Sequence, residues 1–326
     1  MSRSPVALAF LGCGNITRQH CRTLRRVAPG VPQFFASRDP AKADRYAADL
    51  GGAGSFGGYE AAMASSRVTA VMVCTPPDSH LPLAVAALDA GKDVIVEKPA
   101  FLASSEVDQV EAAMRRSGRR AFVAENYWYK PLRRAVAGVV ASGDLGEIRF
   151  VHLNAMKYQA VADWRGDPRI AGGGALFEGG VHWINFMANL GLTLEAVEGF
   201  RPGPAGAPER STLVVGRYAE GAVGTLHHSW EVPSLLKGIR LSRLTGTRGS
   251  ATFESNGLVL FQRARRVRLV FPGFRDIRGM RGMFTDFVAA LATGREPGMT
   301  LAMARRDLVL LESALGPPGG AAAGTD

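Results

Sequence analysis

"AFLGCGNITRQHC", residues 9–21, decides how the rest of the chain is read. A short apolar run, Val6–Leu11, enters Gly12-x-Gly14, and the glycines lead into a helix predicted over Asn15–Val27. Strand, glycine turn and helix N-terminus in that order open a βαβ unit of the dinucleotide-binding kind. Gly12 would permit the tight turn, Gly14 would let backbone N–H groups approach a pyrophosphate, and the helix N-terminus would favour its negative charge. The third position of the G-x-G-x-x-G pattern is Thr17, which predicts a slightly wider helix–strand spacing. The competing reading is a plain glycine turn in an α/β domain.

Outward from that turn, apolar strands alternate with helices to about residue 124. Strands are predicted at Gln33–Ala36, Ala70–Cys74, Asp93–Glu97 and Ala121–Ala124, with helices at Pro40–Leu50, His80–Ala90 and Ser104–Ser117. Such alternation gives an α/β fold with a doubly wound parallel sheet. After residue 130 one more helix runs to Ser142, and "GEIRFVHLNAMKY" then begins a series of longer strand-like segments. They include Glu195–Arg201, Ser211–Tyr218, Ala222–His228, Gly238–Thr245, Ala251–Glu254 and Val267–Phe271. A mostly antiparallel sheet in an α+β domain is expected, with a helix at Gly174–Leu190 embedded in it and helices at Met280–Ala292 and Leu301–Leu315 following. The expected divisions are residues 1–124, residues 125–316 and a disordered tail over 317–326.

Composition narrows the function classes. The chain of 326 residues is 47% hydrophobic and 21% charged, and no apolar run approaches the roughly 18 residues that span a bilayer. The first residues have a faint signal-like pattern, but Val6–Leu11 is too short for a lipoprotein signal. Three cysteines do not make a disulfide framework, so a reducing cytoplasm is expected. The net charge of +10 raises nucleic acid as a partner. The basic runs "RRSGRR" (115–120) and "RARRVR" (263–268) lack interleaved aromatics, so no nucleic-acid partner is expected; anionic small ligands suit the charge.

The end of the second strand reports on the nucleotide. A site for NAD usually carries Asp or Glu there for the ribose 2′-OH. Here "FFASRDP" (34–40) offers Ser37 and Arg38, a hydroxyl and a guanidinium suited to a 2′-phosphate, so NADP is expected over NAD. Asp39 reads as a helix cap. A second chemical stretch, "DVIVEKPAF" (93–101), ends an apolar strand on Glu97, Lys98 and Pro99. Ligands of open parallel sheets bind beyond the carboxyl ends of the strands, which is where these residues fall.

Together "GCGNI", "CTPPDSH" (74–80), "EKP" (97–99), "AENYWYKP" (124–131), "DWRGDPRIAGGGALFEGGVHWIN" (163–185) and "LAMARRDLVLLESA" (301–314) resemble the glucose–fructose oxidoreductase / inositol dehydrogenase / rhizopine-catabolism (Gfo/Idh/MocA) family. The resemblance spans nearly the whole chain. It implies an N-terminal Rossmann domain and a C-terminal domain with a large open sheet, through which homodimers or homotetramers form. It assigns Asn15 and Ile16 to the cofactor loop, and Thr75 and Pro76 to the nicotinamide side. His80 opens the next helix, close to the cofactor residues, with packing or capping as its expected part. Lys98 is implied to act on the substrate oxygen, with Glu97 beside it and a cis Lys98–Pro99 bond.

In "GGGALFEGGVHWINF" Glu178 and His182 are four apart and Asn185 three further on, so on a helix they share a face. A satisfied core histidine is the bland alternative. Glu and His at this spacing also suit a metal, but no third ligand is evident and none is expected. The family pattern here is usually Asp-x-Gly-x-His-x-x-Asp, and Glu178 and Asn185 replace its two acids. His182 is the expected proton-transfer group, with Glu178 as a second polar contact. Tyr127, Tyr129, Trp164, Arg165 and Asn185 complete a pocket suited to a small polyol or sugar-like substrate.

The expected function is hydride transfer between NADP and a hydroxyl or keto carbon of a sugar, sugar nucleotide or cyclitol. Alternatives are reduction of a non-sugar carbonyl, a dihydrodiol or a tetrapyrrole, a glycosidase that retains its cofactor, and a ligand-sensing regulator without catalysis.

Overall fold

The computed structural model describes residues 5–203, 208–234 and 238–316, so the tail expected at 317–326 lies outside the described residues. The chain divides into two units. The first runs up to Glu125 and includes Met280–Arg305; the second comprises Asn126–Gly279 and the chain from Arg306. The sequence division near residue 124 allots Met280–Arg305 to the later domain, whereas it clusters with the first unit.

The first unit carries β1 (Leu8–Leu11), α1 (Asn15–Val27), β2 (Gln33–Ala36), α2 (Pro40–Asp49), β3 (Gly54–Phe56), α3 (Tyr59–Ala64), β4 (Ala70–Val73), α4 (His80–Asp89), β5 (Asp93–Val96), α5 (Glu106–Ser117) and β6 (Ala121–Val123). The strands pair in parallel in the order β3-β2-β1-β4-β5-β6. Strands β1, β2, β4 and β5 are buried along their whole length. That follows from their sequences, "LAFL", "QFFA", "AVMV" and "DVIV", which are apolar on both faces as strands covered on both sides must be. Asp39 caps α2, accepting from Lys42 N at 3.2 Å, with Pro40 in the first turn. The order of the strands reverses between β1 and β4, which puts the β1–α1 loop and the loop after β4 at a topological switch point.

The second unit carries α6 (Pro131–Ala141), β7 (Ile148–Met156), the short α7 (Pro168–Ala171), α8 (Val181–Ala188), β8 (Leu194–Phe200), β9 (Ser211–Tyr218), β10 (Val223–Ser229), β11 (Leu241–Gly246), β12 (Gly249–Glu254), β13 (Leu260–Arg263) and β14 (Val267–Val270). Its sheet has eight strands in the order β14-β13-β12-β11-β7-β10-β9-β8. Only the β7–β10 pair among them is parallel. Burial alternates along β9, β10, β11 and β13, so one face is packed and the other open. Helix α9 (Met280–Thr293) belongs to the first unit, and α10 (Leu301–Leu315) begins in the first and ends in the second. Among the described residues no helix is long and apolar enough to cross a membrane.

Candidate active site

In the first unit, Gly12 sits at φ 105°, and a Cβ there would lie 3.0 Å from the Cys74 carbonyl oxygen. Only glycine fits such a turn. At Gly14 an added Cβ meets nothing within 4 Å, so the backbone there is open to a ligand. Thr17, in the place of the third glycine, is fully buried, and its hydroxyl donates to Gly12 O at 2.7 Å, locking the loop. Asn15 is exposed and Ile16 half-buried at the start of α1. At the end of β2, Ser37 is buried and its Oγ accepts from Asp39 N at 3.1 Å. Arg38 is exposed and interacts with the Tyr59 hydroxyl; burial pushes that phenol up and the guanidinium opposes it.

Beyond β4 and β5 the polar groups interlock. His80 is buried, with Nε2 2.9 Å from Thr75 O and Nδ1 2.9 Å from Pro99 O and 3.2 Å from Ala100 O. The imidazole therefore ties the loop after β4 to the loop after β5. Three carbonyls favour the protonated ring, but burial outweighs them and lowers its pKa. The neutral ring donates through one nitrogen only, but carbonyls face both, so His80, expected near the cofactor, shapes these loops from inside. The Thr75 hydroxyl accepts from Ser79 Oγ at 2.7 Å. Glu97 is also buried: Oε1 pairs with His20 Nε2 from α1, and Oε2 accepts from Lys98 N at 2.9 Å. Burial alone would raise the Glu97 carboxyl; His20 and then Lys98 outweigh it and hold the group below its ordinary value. The Lys98 side chain is half-buried and the Lys98–Pro99 bond is cis. Sequence reasoning missed His20. Its signal was the buried stripe Thr17, His20, Cys21, Leu24 along α1.

In the second unit, the helix expected at Gly174–Leu190 is a π-helical turn, Leu176–Gly180, running into α8. Gly179 is required there: a Cβ would come within 2.8 Å of the Trp230 ring. Glu178 is buried in that turn and accepts from Arg165 Nε at 3.2 Å. Arg165 in turn lies 4.4 Å from the ring centre of Trp164. His182 is stacked on Tyr127, with ring centres 4.4 Å apart and planes within 9°. Lys130 Nζ lies 4.3 Å from the Tyr127 centre, and Trp183 meets the same ring edge-on at 5.4 Å. These residues form two sets of contacts, Tyr127 with His182 and Trp164 with Arg165 and Glu178, carried on the same π turn and α8 by Glu178 and His182. Tyr129 is half-buried nearby in sequence.

Asn185 departs from the shared face expected for it. It is fully buried, and its Nδ2 donates at 2.6 Å to Asp307 Oδ2 on α10, where Arg306 also binds. The π turn Leu176–Gly180 alters the spacing of Glu178 to His182, while His182 and Asn185 both lie in α8, where the bond to Asp307 engages the Asn185 amide. Conversely, His228 was not among the candidate residues expected from the sequence. Strand β10 packs against the π turn, and buried His228 faces Lys157, Arg240, Glu178 and His182. Its pKa is pushed down to about 3, first by burial and then by the charges of Lys157 and Arg240; Glu178 works the other way. The signal was the alternation Gly224, Leu226, His228 along β10. His227 points to the opposite face, where its ring meets His152 at 5.0 Å. Among the described residues no group of three or more His, Cys, Asp or Glu could hold a metal ion.

A family profile described as "Oxidoreductase family, NAD-binding Rossmann fold" matches residues 6–125, and one for the "GFO/IDH/MocA C-terminal domain" matches residues 133–252. A dTDP-3,4-didehydro-2,6-dideoxy-alpha-D-glucose 3-reductase of Saccharopolyspora spinosa is 32% identical over 184 residues, 55% of this chain and 54% of the relative. A D-xylose 1-dehydrogenase (NADP(+)) 2 of Haloferax volcanii is 34% identical over 145 residues, 44% of each chain. The chain thus spans about half the length of the curated relatives it matches. Among solved structures, levoglucosan dehydrogenase in complex with NADH and levoglucosan superposes with a TM-score of 0.84 at 19% identity, over 96% of both chains. An oxidoreductase domain protein from Kribbella flavida gives 0.83 at 21% identity, over 95% of this chain and 96% of that one. The two profiles cover most of the described chain, and both sheets have the expected parallel and mostly antiparallel orders: the chain belongs to the Gfo/Idh/MocA oxidoreductase family.

Proposed function

We propose that the chain is an NADP-dependent oxidoreductase that moves a hydride between the nicotinamide and a hydroxyl or keto carbon of a sugar, sugar nucleotide or cyclitol. The observation that carries this is Lys98, a half-buried lysine at the carboxyl end of β5, whose backbone N–H is held by a buried Glu97 that is itself anchored by His20.

The residues of the first unit fit a dinucleotide. Gly12, Gly14, Asn15 and Ile16 would take the pyrophosphate, Ser37 and Arg38 the 2′-phosphate, and Thr75 and Pro76 the nicotinamide side, with Glu97 and Lys98 adjoining. The open space at Gly14 and the exposed Arg38 support that fit. When bound, NADP(H) supplies or accepts the hydride. Lys98 orients the substrate oxygen and stabilises its alkoxide character. His182 takes the hydroxyl proton in oxidation and returns it in reduction. Glu178, steered by Arg165, binds a substrate hydroxyl, and Tyr127 and Trp164 border the same groups. The relatives named for a dTDP-sugar, for D-xylose and for levoglucosan support the sugar class, and the second of them supports NADP. Exposed Phe150, Val223, Leu241, Phe261 and Leu269 on the open sheet face support self-association through that face.

The test is a turnover screen over sugars, ketosugars and cyclitols, following NADPH and NADH separately, for the wild type and Lys98→Met. Turnover should fall by orders of magnitude in the variant with NADPH affinity intact. Undiminished turnover would make Lys98 a surface residue, and equal affinity for NADH would remove NADP from the reading.

A further inference from the structure

One end of the packed face of the second sheet holds buried polar atoms that nothing among the described residues satisfies. Trp230 Nε1, Arg240 Nε, His228 Nδ1 and Thr212 Oγ1 have no hydrogen-bond partner among the described residues. All four side chains are more than nine-tenths buried, with exposures of 2%, 8%, 3% and 3%. Unpaired buried donors are rare and cost about 1–3 kcal/mol each.

These atoms share one level of the sheet. His228 on β10 pairs with Thr212 on β9 and with Ala155 on β7. Counting on from the Arg243–His152 pair of β11 and β7 puts Arg240 level with Ala155. Arg240, Ala155, His228 and Thr212 therefore form a row across four strands, and the alanine leaves the space between arginine and histidine unfilled by side chain. Trp230, two residues past His228 on the same face, has its ring centre 6.4 Å from the histidine's. Its indole lies against Gly179, beside Glu178. Arg240 lies 5.8 Å from the ring centre of Trp183, beside His182. The row is thus overlain by the turn that carries Glu178 and His182.

The chemistry of the row has one sign. Indole N–H and guanidinium N–H groups only donate. Arg240 is a buried cation without a carboxylate partner among the described residues; its Nη2 donates to Asn256 Oδ1 at 2.7 Å. Asn256 leads on to Glu254, whose oxygens are already filled by Asn256 N and Nδ2, Gly257 N and Leu258 N. Glu178, the acid nearest the row, is engaged by Arg165. Lys157, which follows β7, adds a second positive charge felt at His228. Water could satisfy single donors but would not neutralise this charge.

We infer that this end of the sheet binds an anionic group of the substrate, a carboxylate or a phosphate, through Arg240, Trp230 and His228, with Lys157 adding charge. This rests on the second unit being the substrate-binding part of an oxidoreductase, and narrows its substrate to a sugar acid or a phosphorylated sugar. His228 Nδ1–H, Trp230 Nε1–H and Arg240 Nε–H then each find an acceptor, and the buried guanidinium finds its counter-ion.

The experiment is binding of D-glucuronate, glucose 6-phosphate and neutral D-glucose to the full chain, with and without NADP, by calorimetry and tryptophan fluorescence. At least one of the two anions should bind ten times or more tighter than glucose, and which one separates carboxylate from phosphate. Arg240→Gln should weaken that anion about ten- to a hundredfold while NADP and glucose titrations stay as in the wild type. Trp230→Phe should weaken it less and remove the fluorescence response, which serves if Arg240→Gln does not fold. The inference is overturned if neither anion binds better than glucose, or if both variants lose glucose and anion alike. Anion binding without any NADP affinity would sink the oxidoreductase reading and leave this site standing; NADP-dependent turnover of neutral sugars with no preference for acids would do the reverse.

Discussion

The loops beyond β4 and β5 and the packed face of the second sheet both bury histidines, but they treat them differently. His80 has carbonyl oxygens at both ring nitrogens, and the neighbouring Glu97 has His20 on one oxygen and the Lys98 N–H on the other. His228 has a buried Nδ1 without a partner, beside Trp230 and Arg240 in the same condition. The first region presents Lys98 from a framework in which His20 Nδ1 alone lacks a partner; in the second, four such atoms gather in one row among the described residues. Internal satisfaction gives rigidity, and a cluster of unsatisfied donors in one row is what an added acceptor would complete.

The strongest way to break this contrast is His182→Asn. If the unfinished region serves substrate, turnover should fall about 10²- to 10⁴-fold with NADPH affinity intact, and a titration should vanish from the pH–rate profile. A variant with the wild-type rate and profile would make His182 structural. Next comes stability. His80→Leu leaves buried carbonyls without a donor and should cost about 2–4 kcal/mol in urea unfolding. His228→Leu removes a group that is already unsatisfied, so its cost should stay under about 1 kcal/mol or become a gain. Equal costs would erase the distinction.

Acid sharpens it further. The folded His228 titrates near 3 against about 6.5 in an unfolded chain, so between those values the unfolded state binds a proton the native state refuses. Stability should therefore fall with falling pH across that window, by up to about 1.4 kcal/mol per pH unit from this residue. His80, also depressed, acts in the same direction, so the readout is the difference between wild type and His228→Leu, which should have the shallower slope. The smallest effect is expected at Arg38, exposed at the rim of the first unit: Arg38→Ala should weaken NADPH roughly tenfold and leave NADH unchanged in a direct titration.

The sequence was legible where its pattern is local. The limits of α1, β2, β9 and α10 coincide with those expected, because each is a single periodic or apolar run. Strand β3, helix α3 and strand β13 were missed: "GSF" and "LFQR" are too short for alternation to register, and "YEAAMA" lacks a full amphipathic repeat. Candidate residues carried by a motif, such as Lys98 and His182, could be named from the sequence. Arg240 and Trp230 could not, because what sets them apart is the cross-strand row, created by pairing segments some 85 residues apart such as Ala155 and Arg240. Asn185 was assigned to the pocket from its spacing to His182, and its bond to Asp307, 122 residues further on, has no local sequence signal.

Helix α9 has a consequence for how the protein is made. Its Phe284 and Phe287 are buried in the first unit, against His20 at 5.3 Å and Phe122 at 5.5 Å, and Arg120 donates to Ala290 O at 2.6 Å. A ribosome delivers the six-stranded parallel sheet early, yet the apolar wall of that unit arrives only after more than 150 further residues. The nascent nucleotide half must wait, partly uncovered, while the whole second sheet is synthesised. Cutting the gene after Glu125 would therefore yield not a small stable module but a fragment with an exposed aromatic seam, prone to aggregate.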